Sequence, residues 1–475
     1  MVAQLLDGVI VRDVRGDPSA TPVAAVDFDS RRVVPGSLFC CVPGEHTDGH
    51  RHAADAVARG ATSLLCERRL DLDVTQVVVA PGDVRPAMAT VSAAFWGHPA
   101  RSLRTIGVTG TNGKTTVTQL IGSVLAAAGW PTEVIGTLGG TRTTPEAPDL
   151  QSYLAEAVDA GKRAVAMEVS SHALTQHRVD AIEFDVVAFT NLSRDHLDHH
   201  GSMEAYFEAK ASLFAPGRYR HAVVLADDPW GARLLERLDA TSVTAVRRDE
   251  AGSVALAVGS SRFTWRGRVV DLPLSGRFNV DNALVAAAVA TALGIDEDHV
   301  VAGLDAAPVV PGRMEVVDAV APVAVVVDYA HTPAGLGEAL RAVRALAGDG
   351  RVVCLFGCGG DRDQGKRPEM GTVATTLADI VVLTSDNPRS EDPTTIIEEV
   401  RAGMSGPAEV VVEPDRAAAV RVAVGRARPG DVVLLAGKGH EGTQTTGDTV
   451  VAFDDRVEGA AALAERFAGR GGARR

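Results

Sequence analysis

From about residue 104 onward, short runs of β-branched residues alternate with alanine-rich stretches of helical period, and this alternation leaves few architectures open. The runs fall at 164–169, 185–190, 221–226, 323–328, 352–357, 380–385 and 432–436, with amphipathic segments such as 119–128, 283–293 and 335–346 between several of them. A parallel neighbour is reached only through a crossover helix, so the pattern predicts α/β domains with mostly parallel sheets. Such sheets carry their chemistry in loops at the carboxyl ends of strands. Breaks near 99–103 and at 308–313, where Pro-Val-Val-Pro-Gly-Arg interrupts the pattern, mark out three expected domains, 1–103, 104–312 and 313–475. At roughly 150 residues per domain, a chain of 475 residues gives the same count.

Composition excludes several function classes. Lys plus Arg is 47 and Asp plus Glu 61, a net charge of −14, and no dense basic run occurs except 470–475, which reads as a frayed end. A nucleic-acid partner is therefore not expected. No apolar run approaches the roughly 18 residues that span a bilayer, and Met1-Val2-Ala3-Gln4 begins no signal peptide. The expectation is a cytoplasmic protein without a membrane anchor. Cys40, Cys41, Cys66, Cys354 and Cys358 form no C-x-x-C pair, so they read as buried free thiols. Cys40 and Cys41 would face opposite sides of a strand.

The sharpest local signal is Gly107-Val108-Thr109-Gly110-Thr111-Asn112-Gly113-Lys114-Thr115-Thr116, after a short apolar strand and before a helical pattern. Glycines let backbone N–H groups close around phosphate oxygens, and a helix N-terminus favours the anion. Lys114 would reach the terminal phosphates and the Thr115 hydroxyl would join a Mg²⁺ shell. The strict spacing asks for glycine where Val108 stands, so the loop is read from its context. A second stretch, Gly360-Asp361-Arg362-Asp363-Gln364-Gly365-Lys366, keeps the spacing better, but Arg367 replaces the metal-binding hydroxyl and two aspartates would repel phosphate. It is set aside as a nucleotide loop, with another ligand-binding role left open.

Glu168 ends one apolar run and His196 follows the next, so both are expected at the carboxyl edge of the sheet that carries Thr115. A carboxylate, a hydroxyl and an imidazole suit one or two Mg²⁺ ions bridging phosphates and substrate. Alone, His196 would read as a loop or N-cap histidine. Lys210 lies in line with Tyr206, Phe207, Leu213 and Phe214 on a helical pattern. It either snorkels past its neighbours, the simpler reading, or faces inward, where desolvation would favour a neutral amine able to form a carbamate with CO₂.

In one order along essentially the whole chain stand Asp29-Ser30-Arg31, Gly110–Thr116, Thr143-Thr144-Pro145, Glu168–His172, Asn191–Asp198, Gly276-Arg277-Phe278-Asn279, Pro311–Glu315, Asp328–Pro333, Gly357–Pro368, Asp386-Asn387-Pro388-Arg389 and Gly437–Glu441. This series resembles the Mur ligase family, the ATP-dependent amide ligases of peptidoglycan precursor assembly, and within it the branch that adds the third stem-peptide residue. The resemblance implies an N-terminal UDP-sugar-binding domain, a central P-loop ATPase and a C-terminal Rossmann-like domain. It implies ligation of diaminopimelate to the D-Glu γ-carboxylate of UDP-MurNAc-L-Ala-D-Glu through an acyl phosphate, with ATP and Mg²⁺, by a monomer.

The resemblance also implies residue roles. Ser30, Glu45, His46 and Thr47 would hold the uridine end, and Thr143, Thr144, Ser170, Gln176 and Arg178 the muramoyl dipeptide. Gly110, Thr111, Asn112, Gly113, Lys114, Thr115 and Thr116 would cradle the ATP phosphates, with Asn279, Arg313 and Asp328 on adenine or ribose. Thr115, Glu168 and His196 would serve Mg²⁺, joined by Lys210 as N6-carboxylysine, and Lys114, Glu168, His196 and Lys210 make the catalytic set. Arg362, Asp386, Asn387, Pro388, Arg389, Gly437 and Glu441 would receive diaminopimelate. Its distal head carries one carboxylate and one ammonium; Arg389 offers a planar fork to the first and Glu441 an anion to the second. A buried Arg389 would lose its partner with lysine as substrate.

Two positions depart from the family pattern: Arg142 stands where relatives often have Asn, and His199 where Tyr is common. Rivals are a folylpolyglutamate synthase-like ligase, a paralogue with another amino acid or acceptor, a silent nucleotide-binding paralogue, and a nicotinamide oxidoreductase. The last needs a G-x-G-x-x-G turn between strand and helix, which is not found. A silent paralogue predicts decay of Lys114, Glu168, His196 or Lys210, and all four are present.

Overall fold

The computed structural model describes residues 1–44, 47–140, 142–317 and 322–467, so the expected uridine-loop residues Glu45 and His46 and the 470–475 tail lie outside the described residues. The chain packs as two compact units, each discontinuous in sequence. The first is 1–109, 129–188 and 209–222; the second is 110–128, 189–208 and 223–475.

The first unit opens with a five-stranded sheet in the order Asp13–Arg15, Thr75–Val78, Ser63–Cys66, Ser37–Cys40, Ala25–Asp27. The edge strand Asp13–Arg15 is antiparallel and the other pairings are parallel. Residues alternate between two cores: Leu38, Cys40, Leu65 and Val77 enter one, Phe39, Cys41, Leu64, Cys66 and Val78 the other. These strands are three or four residues long and each carries a polar residue, so they lack the longer Val/Leu runs that mark the later strands and stay hidden in the sequence. Cys40 and Cys41 do face opposite sides. All five cysteines are free and buried, and burial pushes Cys354 and Cys358 up to about 12, so they are inert thiols.

A second sheet is ordered Thr132–Ile135, Ala164–Glu168, Arg104–Thr109, Phe184–Phe189, Tyr219–Leu225, Val243–Val246. Arg104–Thr109 and Ala164–Glu168 are parallel with Val108 opposite Glu168, so Glu168 emerges at the carboxyl edge.

The second unit holds a six-stranded sheet ordered Glu315–Val316, Ala324–Asp328, Val432–Ala436, Val352–Phe356, Ile380–Leu383, Glu409–Val412. Only Glu315–Val316 pairs antiparallel. Asp328 is opposite Ala436 and Phe356 opposite Leu383, so the loops after four strands open on one edge. Val326, Cys354, Phe356 and Leu434 line one face, Val325, Val353, Leu355 and Leu435 the other.

The parallel strands lie within two residues of the expected runs, but the helices begin earlier. Lys114–Ala127 and Arg277–Ala292 start five and six residues before the apolar pattern does, because their first turns bury polar side chains such as Thr115, Thr116, Asn279 and Asn282. The antiparallel strands Ala251–Ala257, Ser260–Trp265 and Arg268–Leu272 and the hairpin of Thr443–Thr446 with Thr449–Ala452 were not expected from the alternation. Among the described residues no helix is long and apolar enough to cross a membrane.

Candidate active site

Within the second unit, the loop 110–113 runs into the helix Lys114–Ala127. The first amides of a helix have no intrahelical acceptor and attract anions. Segment 190–191 shapes the loop: Thr111 N–H donates to the Asn191 carbonyl (2.9 Å), Asn112 N–H to Asn191 Oδ1 (2.9 Å), and Thr190 Oγ1 to the Asn112 carbonyl (2.6 Å). A Cβ on Gly110 would stand 1.9 Å from Thr190 Oγ1, and one on Gly113 2.5 Å from Asn282 Oδ1, so both glycines are required. Lys114 Nζ donates to the Gly110 (3.0 Å) and Thr111 (2.8 Å) carbonyls, folding over the cradle. Glycine cradle, helix N-terminus and overhanging ammonium fit a nucleotide triphosphate.

The buried Thr115 Oγ1 accepts from Arg313 Nη2 at 3.2 Å, and the Arg313 guanidinium covers the Tyr329 ring at 4.6 Å. The Asp328 carboxylate accepts from Met314 N–H (2.8 Å); burial pushes it up while Arg313 opposes the rise. Thr115, Arg313 and Asp328 thus stand together. Asn279 is fully buried, its Nδ2 donating to the Ser275 carbonyl (2.8 Å) and its Oδ1 accepting from Asn282 (3.1 Å). Both ends of its amide are held inside the protein.

His196 is the N-cap of the short helix Leu197–His200, in a left-handed conformation (φ 55°), with Nε2 3.4 Å from Asp195 Oδ2. Burial pushes the Asp195 carboxyl up, but His331 (3.4 Å), Lys366 (3.4 Å) and His196 outweigh it and hold it well below the usual carboxylate range. In the loop set aside as a phosphate site, Asp363 accepts from Gly365 N–H (2.9 Å) and pairs with Arg194 (3.2 Å). A carboxylate holds the amide that a phosphate would take.

In the first unit, Glu168 is buried and accepts from Thr137 N–H (2.8 Å) and Thr137 Oγ1 (3.3 Å). A desolvated carboxylate served by neutral donors suits a cation. Lys210, on the helix Met203–Ala211, is 1% exposed, so the snorkelling reading is corrected: a lysine whose ammonium reached water would expose more of its side chain. Thr144 Oγ1 donates to the Glu168 carbonyl (2.8 Å) and accepts from Ser170 N–H (3.1 Å), and Thr143 meets Thr137 (3.1 Å). Arg178 donates to the Thr144 carbonyl (2.7 Å) and Gln176 Oε1 (2.6 Å). Ser30 is buried in a short 3₁₀ turn, and Thr47 pairs with His52 (2.9 Å).

Sequence reasoning missed Glu146. This buried carboxylate pairs with Arg178 (2.8 Å), Arg142 (2.9 Å) and Arg85 (3.2 Å), three cations around one anion, which favours a further anionic ligand. Arg142, noted as a departure, belongs to this cluster. Scattered over 94 positions, the four residues carry no motif.

The carboxyl-edge loops of the six-stranded sheet gather Asp386, Asn387, Pro388, Arg389, Gly437 and Glu441. Asn387 Nδ2 donates to Glu441 Oε2 (2.8 Å); the fully buried Lys438 reaches Glu441 (3.3 Å), Asn387 Oδ1 (3.3 Å) and Asp386 (3.7 Å). Gly437 turns at φ 106° with Asp386 where a Cβ would be. Arg389 is half-buried, not buried as expected, because its loop lies open to solvent beyond Pro388; its Nη1 donates to the Gly360 carbonyl (2.5 Å). Arg362 is exposed and donates to the Asp361 carbonyl (2.9 Å).

Beneath these loops lie two buried arginines. Arg367 pairs with Glu391 (2.8 Å) and Glu399 (2.6 Å). Arg416 forms a two-pronged pair with Asp455 (2.8 and 2.7 Å) and donates to the Ser385 (3.1 Å) and Ala436 (2.9 Å) carbonyls. Lys438 and Arg367 lie inside the Gly437–Glu441 and Gly357–Pro368 blocks without a role of their own in the sequence reading, and Arg416 lies outside every block.

Among the described residues no three His, Cys, Asp or Glu side chains are placed to hold a metal ion by themselves; a hydroxyl and phosphate oxygens are donors that suit Mg²⁺.

Comparison with known proteins fits these observations. Residues 22–96 match the model of the Mur ligase family catalytic domain, 108–290 the Mur ligase middle domain and 312–439 the Mur ligase glutamate ligase domain. A Synechococcus elongatus protein named UDP-N-acetylmuramoyl-L-alanyl-D-glutamate--2,6-diaminopimelate ligase is 44% identical over 470 residues, covering 94% of each chain. One of the same name from Geobacillus kaustophilus is 45% identical over 471 residues, 94% of this chain and 95% of that one. A solved structure of that name is 31% identical, with TM-score 0.68 over 98% of this chain and 99% of its own. The fold is thus the three-domain α/β fold of that structure. With three family models along its length and close relatives end to end, the chain belongs to the Mur ligase family.

Proposed function

We propose that the protein is an ATP-dependent ligase that joins diaminopimelate to the D-Glu γ-carboxylate of UDP-MurNAc-L-Ala-D-Glu in peptidoglycan precursor synthesis. The observation that carries this reading is identity of 44–45% over 94% of the chain to proteins bearing that name. The placement of Arg389 and Glu441 on neighbouring loops, one fork for a carboxylate and one anion for an ammonium, supports it. We assign 1–103 to the UDP-sugar domain, 104–312 to the ATPase and 313–475 to the amino-acid domain, acting as a cytoplasmic monomer.

A free carboxylate is a poor electrophile, so the γ-phosphoryl group of ATP is first transferred to it, giving an acyl phosphate and ADP. The diaminopimelate amine then attacks the acyl carbon, loses a proton, and inorganic phosphate leaves. Gly110–Thr116 hold the phosphates, and Lys114 stabilises charge on the phosphoryl group in flight. Arg313 and Asp328 orient the nucleoside. Thr115, Glu168, His196 and Lys210, the last as a carbamate, would hold Mg²⁺, which when bound neutralises the phosphates. Thr144, Ser170, Gln176 and Arg178 orient the dipeptide, with Arg178 beside its carboxylate.

The test is phosphate release from ATP with UDP-MurNAc-L-Ala-D-Glu and meso-diaminopimelate, L-lysine or no amino acid. Release that needs diaminopimelate, with a tripeptide product by mass, is expected. Release with lysine instead would refute the role of Arg389, and none under any condition would refute the ligase reading.

A further inference from the structure

We infer that the hairpin Thr443–Ala452 aims Arg389, and that Gln444 is a positioning residue through which the site selects an amino acid with a distal carboxylate. The inference rests on the ligase reading above and deepens it.

Arg389 holds its backbone at φ 53°, the left-handed region, where a side chain crowds the following carbonyl. An arginine stays there only if its surroundings hold it. The hairpin does so from both sides: Arg389 N–H donates to the Thr445 carbonyl (3.1 Å), and its carbonyl accepts from Gly447 N–H (2.6 Å), one rung of parallel pairing beside Thr446. Two further bonds fix the residues before it. Thr445 N–H donates to Asn387 Oδ1 (3.0 Å), and Gln444 Nε2 donates to the Asp386 carbonyl (2.7 Å).

The same contacts orient the anion. With Asn387 Oδ1 occupied by Thr445 N–H and Lys438 Nζ, its Nδ2 must face Glu441, to which it donates. One hairpin therefore sets both the fork of Arg389 and the carboxylate of Glu441, the pair that matches a distal zwitterion.

The hairpin has little else to do. It is a sheet of two strands, and its Val450 and Val451 are 62% and 48% exposed, so it contributes little to a core. Gln444 supplies its one side-chain bond to the 386–389 segment among the described residues.

The experiment compares Gln444→Leu, which keeps the bulk and removes the donor, with the parent and with Arg389→Met. Loss of one such hydrogen bond is expected to raise KM for diaminopimelate by about three- to tenfold. KM for ATP and for UDP-MurNAc-L-Ala-D-Glu, and the thermal midpoint, should stay at parent values. Discrimination against lysine should fall. Arg389→Met/Gln444→Leu should be no worse than Arg389→Met, because Gln444 acts through that arginine. Gln444→Glu, of the same shape without the donor, serves if the leucine variant does not fold. A parent-like KM, additive losses in the double variant, or a joint rise of every KM with a lower midpoint would overturn the inference. A parent protein without diaminopimelate-dependent release would instead overturn the ligase reading, and this inference with it.

Discussion

Arg313 and Thr115, 198 positions apart in sequence, are joined by a hydrogen bond of 3.2 Å from Nη2 to Oγ1. The bond couples a residue assigned to the nucleoside end of ATP to the hydroxyl assigned to its phosphate end. Arg313→Met should raise KM for ATP by about tenfold or more, the effect of losing a charge-assisted bond, and leave KM for diaminopimelate alone. Arg313→Lys should recover only part, since an ammonium cannot both lie flat on Tyr329 and donate to Thr115. Steady-state kinetics with each substrate varied in turn would show this.

Gly110→Ala tests the phosphate cradle. The new methyl would collide with Thr190 Oγ1, and at φ 150° the backbone suits only glycine. The loop must open to accept it, so calorimetry should show ATP binding weakened by about 100-fold, while circular dichroism stays that of the parent.

Glu146 answers for three arginines. Glu146→Ala leaves Arg178, which is nine-tenths buried, without its carboxylate, and should lower stability by about 3 kcal/mol in urea unfolding. Glu146→Gln keeps the hydrogen bonds but not the charge, and should bind the anionic UDP-sugar at least as tightly as the parent.

His440 supplies a pH signature. Burial, then Arg313 and Arg456, lower its pKa to about 4. The folded state therefore favours neutral His440: its contribution is complete above the unfolded value of about 6.5 and is lost as pH falls from there through 4. His440→Phe keeps a ring against Tyr329 and removes a buried Nδ1 that has no hydrogen-bond partner among the described residues. Between pH 7 and 4 the parent should lose more unfolding free energy than the variant, by about 1–2 kcal/mol once the solvent screening of this partly exposed ring is allowed for.

What the sequence made legible follows from the physics of each signal. Val432–Ala436 and Ala324–Asp328 were found because a strand buried on both faces has no alternative to a Val/Leu run, and the loops after them because parallel strands end on one edge. The Gly110–Thr116 loop was legible because a glycine turn that runs straight into a helix N-terminus constrains consecutive residues. Glu146 with its arginines, and Gln444 with Asp386, were not, because ion pairs and backbone-directed bonds bring together residues that no spacing rule connects. Lys210 was ambiguous for a different reason: a helical stripe shows which face a lysine shares, and only the packed structure shows whether its end reaches water.

Arg416 and Asp455 carry a consequence for the loops above them. The pair is fully buried, and Asp455 opens the last helix, Asp455–Phe467. Without Asp455 every strand of the six-stranded sheet is still present, yet the desolvated Arg416 guanidinium beneath Ser385 and Ala436 loses the carboxylate that pairs with it directly and keeps only the charges of Asp386 and Glu441. Those carbonyls lead into Asp386 and Gly437. The helix that begins at Asp455 is thereby tied, through one guanidinium, to the backbone that enters both the 386–389 and the 437–441 loops.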